Sequence, residues 1–344
     1  MSITRRRAIA GAGAAVGAAM LPRAGRAQST DLIVGTWGGD YGALLQSMID
    51  EPLMKPLGIN VTQDISNNDP RRAKLIAEKG EARSSIDVAC LNDVDSFILT
   101  DLGVLEAVPG EAVPRTSEVL AILKNQTTIP HLYSVMAVLY NPGKIASPPT
   151  SWIDLFNPAY AGRIGFSDVL YNFNIAAMNM GVGGQSDDFA PGRKALLDLK
   201  ANDVRTFPSN EALGAALKAE EIWITFMWQA RGFLWRRAGI PVAWSVPREG
   251  TFPLLFEAGV PRNARAKDAA WKYLNAMLDP KVQVAFSEKL GYMPTVRDAE
   301  LPPDLAKEIG MEEARRARLR PIDYEAMQKE RGAMLEFWNK EFKG

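Results

Sequence analysis

The chain has 344 residues with 40 basic and 40 acidic side chains, one histidine and one cysteine, and 47% of its residues are hydrophobic. A lone cysteine cannot close an internal disulfide, and one histidine beside one cysteine excludes a Cys/His metal centre. A Cys-His or Ser-His catalytic pair would have to recruit His131, and the absence of a basic excess argues against nucleic acid as a partner.

Residues 1–27 read as an export signal: Arg5, Arg6 and Arg7, an Ala/Gly-rich stretch to Met20, and a small-residue end at Gly25-Arg26-Ala27. The paired arginines and the weakly apolar middle resemble a twin-arginine signal, although Ala8 stands where that pattern has Phe. The stretch is too short and too weakly apolar for a membrane anchor. Cleavage is expected near Ala27/Gln28, with a periplasmic product. It removes five arginines and no acids, leaving 35 basic against 40 acidic residues. What remains is long enough for two compact domains, each with its own core.

Short β-type runs then alternate with helical spacing. "DLIVGTW" leads into "YGALLQSMIDEPLMKPL", and "INVTQDI" follows as a strand; "RRAKLIAEKG" precedes "SIDVACL", in which Cys90 reads as core, and "VDSFILTDLG" comes after it. This predicts an α/β organisation with a mostly parallel sheet. A second set begins after "YSVMAVLYNP" and runs through "RIGFSD", "NIAAMNMGVG", "VRTFP", "NEALGAALKAEE" and "IWITFMW". "PVAWSVP" and "TFPLLFEAGVP" read as strands, whereas "KDAAWKYLNAML", "KVQVAFSEKL" and the charged stretch from Pro303 read as helices. No internal repeat is visible.

In this order, "TWGGDYGALLQSMIDEPLMKPLGINV", "DVACLNDVDSFILTDLGVLEAV", "PPTSWIDLFNPAYAGRIGFSD" and "GVPRNARAKDAAWKYLNAMLDP" resemble the periplasmic substrate-binding proteins of ABC importers, on the spermidine/putrescine-binding branch. The resemblance covers nearly all of the chain after the signal. It implies a two-lobed α/β periplasmic-binding-protein fold with two hinge crossings and a ligand cleft between the lobes. The expected division is lobe 1 from residues 28–132 plus 250–344 and lobe 2 from 133–249. The implied partners are a small-molecule solute and an inner-membrane ABC permease complex. A monomer without cofactor, metal or catalytic residues is expected.

Ligands of open α/β sheets sit beyond the carboxyl ends of the strands, which nominates four places. Trp37-Gly38-Gly39 puts an aromatic before two residues that permit close backbone approach, with Tyr41 following; a tight turn capped by Asp40 is the alternative. Asn92 and Asp93 include a helix cap, with one side chain able to turn into the cleft. Ser167 to Tyr171 follow "RIGF"; the resemblance implies that Asp168 matches an acid holding an ammonium, and a helix cap is its alternative. Trp228 and Arg231 follow "IWITF".

Arg231 points away from polyamines, because a guanidinium is a fork for carboxylate or phosphonate and repels a polycation. It is expected to stand unpaired until a ligand arrives; a salt bridge to a neighbouring acid is the alternative. The resemblance implies an aromatic and an aspartate on the strand matching "GTFPLLFEAGVP", but Leu254 and Phe256 stand there, and Glu257 belongs to the opposite face. Phe256 and Tyr292, in "EKLGYMPT", complete the candidate ligand contacts. The expected function is capture of a small carboxylate-bearing solute, an organic acid or an amino-acid-like molecule such as 4-aminobutyrate. A polyamine is the alternative, and a periplasmic enzyme on the same scaffold is a more remote one.

Overall fold

The computed structural model describes residues 29–344, so the export-signal reading lies outside the described residues. Ten strands occur among them: β1 (Thr30–Thr36), β2 (Ile59–Ile65), β3 (Val88–Asn92), β4 (Thr128–Tyr140), β5 (Gly165–Ser167), β6 (Arg205–Phe207), β7 (Ile224–Trp228), β8 (Ala243–Ser245), β9 (Pro253–Gly259) and β10 (Met293–Pro294).

The long strand β4 organises the rest. Its sequence, TIPHLYSVMAVLY, has no polar face, as suits a strand covered on both sides, and every one of its residues is buried. Thr128–Val135 pair with β9, whereas Met136–Tyr140 pair with β7. The main sheet has the order β10-β4-β9-β3-β1-β2, with β7 and β8 joined to the far end of β4. A separate parallel pair, β5 and β6, extends the second half.

The sheet is mixed, which corrects the expectation of a mostly parallel one. β1 is parallel to β2 and to β3, but every ladder made by β4 or β9 is antiparallel. The physical reason is the path of the chain: β4 carries it from one half to the other and β9 brings it back, so neighbouring crossings run in opposite senses.

Two cores follow from this division. Leu32, Val34, Leu45, Ile49, Val88 and Cys90 pack with Trp271, Leu274 and Phe286 from the helices Lys267–Met277 and Pro280–Leu290. The other core joins the second half of β4 to Trp152, Phe166, Ile175, Leu196, Leu213 and Phe226. Among the described residues no helix is long and apolar enough to cross a membrane.

The C-terminal helix departs from the expected division. Met327, Met334, Phe337, Trp338 and Phe342 belong to the second core, although residues 250–344 read as lobe 1. Leu319 still packs with Tyr133 and Met293 of the first half, while Ile322 and Tyr324 rest on the second core, so the chain crosses once more between them. This third crossing runs beside the second: the Thr251 amide donates to the Arg318 carbonyl at 3.3 Å and the Arg320 amide to the Thr251 carbonyl at 2.8 Å. A charged amphipathic helix at the end of a chain gives no hint of which core it covers.

Trp338, 1% exposed, anchors this helix and donates its indole N–H to Asp168 at 2.8 Å. Trp338→Ala should lower the unfolding free energy by about 3–5 kcal/mol, the usual cost of deleting a large buried aromatic. Urea denaturation checks this, and a loss below about 1 kcal/mol would contradict the packing described.

Candidate functional site

The ends of β1, β3 and β7 and the start of β9 converge where the two halves meet. After β1, Gly39 takes a left-handed φ of +64°, and a Cβ on Gly42 would lie 2.7 Å from the Trp37 carbonyl oxygen. The helix Gly39–Leu45 therefore packs directly on the Trp37 backbone. The Trp37 indole N–H donates to Asn68 Oδ1 at 2.6 Å, and the Arg71 guanidinium stacks over the ring at 4.9 Å from its centroid.

Tyr41 and Phe256 meet the same ring edge-on at 5.0 and 4.9 Å, and Tyr292 meets Phe256 at 4.8 Å. Trp37, Phe256 and Tyr292 are half-buried, so each keeps surface toward solvent. Tyr41 is buried, and its hydroxyl shares a hydrogen bond with His131 Nδ1 at 2.8 Å. Burial takes the His131 imidazole down to about 3, so it stays neutral and serves as support beneath the aromatic group.

Asn92 caps the helix Asp93–Asp101 by accepting from the Asp95 amide at 2.7 Å. Asp93, 5% exposed, accepts from the amides of Val94 at 3.0 Å and Leu255 at 3.2 Å. Desolvation raises its carboxyl to about 6, with the Tyr324 hydroxyl pulling the other way. Glu257 lies on the other face of β9, where it accepts from the Thr128 hydroxyl at 2.7 Å, and burial pushes it up to about 7. Asp93, Glu257, Leu255 and Tyr324 share a pocket of about 390 Å³ behind β9. A pocket of about 590 Å³ on the outer side of the first half, near Val108 and Thr116, shares no residue with the aromatic group.

The opposite wall comes from the helix Gln229–Arg237, whose start is fixed by the Ala230 amide donating to Ser134 Oγ of β4 at 3.0 Å. Arg231 is half-exposed there and makes no hydrogen bond among the described residues. It is not fully unpaired as expected, because Glu211 lies 3.8 Å away, but that acid is 75% exposed and the contact is loose. Desolvation raises the Tyr292 hydroxyl to about 12, Arg231 draws it down and Asp93 raises it further.

Three other candidates have structural engagements. Asp168 accepts from Trp338 Nε1 and, at 2.7 Å, from Lys343 Nζ, which commits it to the C-terminal helix rather than to an ammonium ligand. Trp228 is 7% exposed, with Phe173 at 5.0 Å and Phe252 at 5.9 Å from its ring. Tyr171 is half-buried against the second core. Two residues of the site escaped the sequence reading, Arg71 and Tyr324. Arg71 had a signal, since it sits four residues before buried Leu75 and so shares its inward face. Tyr324 had none, because only the third crossing brings it to Asp93. Among the described residues no group of three or more His, Cys, Asp or Glu stands close enough to hold a metal ion.

Known proteins share this architecture. The family model of the bacterial extracellular solute-binding proteins matches residues 59–313. The spermidine/putrescine-binding periplasmic protein of Escherichia coli K12 is 29% identical over 173 residues, 49% of this chain and 49% of that protein, so the match spans about half its length. Among solved structures, an ABC transporter protein from Clostridium perfringens has a TM-score of 0.79 at 21% identity, covering 90% of this chain and 99% of that one. A GABA receptor has a TM-score of 0.73 at 20% identity, covering 90% and 96%. At these identities the structural likenesses carry the fold alone.

The buried acids make stability depend on pH. Asp93 and Glu257 hold protons at about 6 and 7 when folded, above the ordinary values of 3.8 and 4.5, so the folded state binds protons that the unfolded chain has released. Stability contributed by these groups is present below about pH 4 and is lost as pH rises to about 7. Wild-type protein should therefore unfold at higher urea at pH 5 than at pH 8, and Glu257→Gln should shrink that difference. An unchanged difference in Glu257→Gln would show that Glu257 does not hold its proton.

Proposed function

Because this chain belongs to the bacterial extracellular solute-binding protein family, we propose that it captures a small carboxylate-bearing solute in the cleft and delivers it to an inner-membrane ABC permease from the periplasm. Arg231 carries this reading. It is a half-exposed guanidinium at a helix start with one loose acidic neighbour, and its charge is felt by Tyr292 of the aromatic wall. A bidentate contact to a carboxylate is among the stronger polar interactions, and an exposed ion pair at the distance of Glu211 is worth little against it.

The cleft supports cations less well. Phe256 and Leu254 offer no charge, and Asp168 already holds Trp338 and Lys343. Asp93 is the remaining acid, and its carboxyl is engaged by two backbone amides and raised to about 6. A solute with an amine as well as a carboxylate offers the same guanidinium its carboxylate. The GABA receptor that shares this fold is named for a molecule of that kind.

A polyamine is the second reading, supported by the relatives named for spermidine and putrescine. In either case the solute bridges the lobes, and its differential contacts shift the hinge toward closure. We assign the cleft no reaction.

A thermal-shift screen of organic acids, amino acids, phosphonates and polyamines separates the readings, since a ligand at 100 times its dissociation constant stabilises the fold by about 2.7 kcal/mol. Acids or zwitterions should respond; a response to putrescine or spermidine alone would reverse the assignment. Arg231→Ala should weaken the best acid by about thirty-fold or more, and Arg231→Lys should recover part of it. Unliganded stability should hardly change. A loss of several kcal/mol in the apo protein, with affinity intact, would make Arg231 a structural ion pair.

A further inference from the structure

We propose that Arg71 is a specificity-determining residue of the cleft: locked behind Trp37, its guanidinium biases the site toward anions without touching the solute. This rests on the solute-binding reading above and adds to it a second, indirect determinant on the lobe opposite Arg231.

Arg71 is 1% exposed, and both of its terminal nitrogens are spent on neutral groups. Nη1 donates to the Cys90 carbonyl at 2.6 Å and Nη2 to the Ser66 carbonyl at 2.5 Å. No acid lies within ion-pair distance of it among the described residues. The neighbouring Arg72 is the contrast, since it binds both Asp69 and Asp95. Asp64 and Asp95 act on Arg71 from further away, but each is already paired, with Lys74 and Arg72 respectively. Arginine stays protonated even when buried. A charge without a direct counter-ion therefore sits inside the lobe, one aromatic ring from the cleft.

The ring transmits that charge rather than hiding it. Trp37 has a cation on one face already, at 4.9 Å, so its electron-rich π-system is in use and a second cation gains less from it. The hydrogen bond to Asn68 stops the indole from turning away. At an effective dielectric of about 20, a solute charge about 8 Å from Arg71 changes binding by roughly thirty-fold, in favour of carboxylate and against ammonium. Trp37 and Phe256 would otherwise form an aromatic site well suited to an alkylammonium, and Arg71 changes its sign.

Charge-selective fluorescence quenching reads this field without knowledge of the solute. The Trp37 component is isolated as the difference between wild type and Trp37→Phe, and is quenched by iodide, caesium and neutral acrylamide. Iodide should quench it several-fold better than caesium. Arg71→Met, which keeps the stem and removes the charge, should abolish most of that preference while acrylamide quenching stays the same. Arg71→Lys should retain the preference, which separates charge from packing if Arg71→Met shifts the ring. An iodide-to-caesium ratio unchanged in Arg71→Met, or lost equally in Arg71→Lys, would overturn the proposal.

Binding of matched four-carbon probes distinguishes it from the reading it rests on. In Arg71→Met the preference for 4-aminobutyrate over its neutral amide should fall about ten-fold or more, and putrescine should bind better than to wild type. Equal weakening of all three would make Arg71 merely structural. If 4-aminobutyrate does not bind wild type, that counts against the carboxylate reading, and the quenching ratio still decides the role of Arg71.

Discussion

A strand buried along its whole length must satisfy every amide and carbonyl from its neighbours, and β4 meets this condition in two different cores. The partners change at Val135 and Met136, from Pro253 of β9 to Trp228 of β7. The join itself is closed by the Met136 amide donating to the Phe252 carbonyl at 3.2 Å and by the Thr251 hydroxyl donating to the Met136 carbonyl at 2.5 Å. Those bonds tie the two ladders together where the chain passes from one core to the other. The same strand also sets the site, because Ser134 holds the first turn of the helix that carries Arg231 and His131 supports Tyr41 under the aromatic wall.

That helix touches lobe 1 along its length as well as at its start. Gln229 Nε2 donates to the Ile309 carbonyl at 2.9 Å, and Arg237 Nη1 to the Glu288 carbonyl at 3.0 Å. Gly291, with a φ of +72°, lets Phe233 come so close that a Cβ there would sit 2.4 Å from the ring. The helix that carries Arg231 is therefore positioned by packing along its length. Two cationic side chains carry the two proposals made for the site, half-exposed Arg231 at a helix start and buried Arg71 behind Trp37.

Much of this was legible from local pattern. INVTQDI reads as a strand and is β2 residue for residue, and the ends of β1, β3 and β7 carry Trp37, Asp93 and Arg231 where strand ends were expected to present them. Phe256 and Glu257 fall on opposite faces of β9, as alternation requires. What could not be read depends on contacts distant in sequence. Asp168 looks like a ligand acid until Trp338 arrives, 170 positions later, and the antiparallel sense of β4 and β9 follows from the chain's path between cores rather than from either strand's residues.

The third crossing bears on how the molecule is made. Neither core consists of one continuous stretch: the first lacks Ala258 and Phe286 until late in synthesis, and the second lacks Met334 and Trp338 until later still. A chain emerging from the ribosome tends to fold domain by domain from its N-terminus, but here the lobe built mainly from the middle of the sequence must wait with part of its apolar surface open. Contacts of such long sequence separation slow folding and prolong exposure to aggregation and proteolysis. A premature stop near residue 320 would spare most of the first lobe and leave the second uncovered, so the lesion would show in the lobe built from the middle of the sequence rather than in the one whose segments end next to the missing codons.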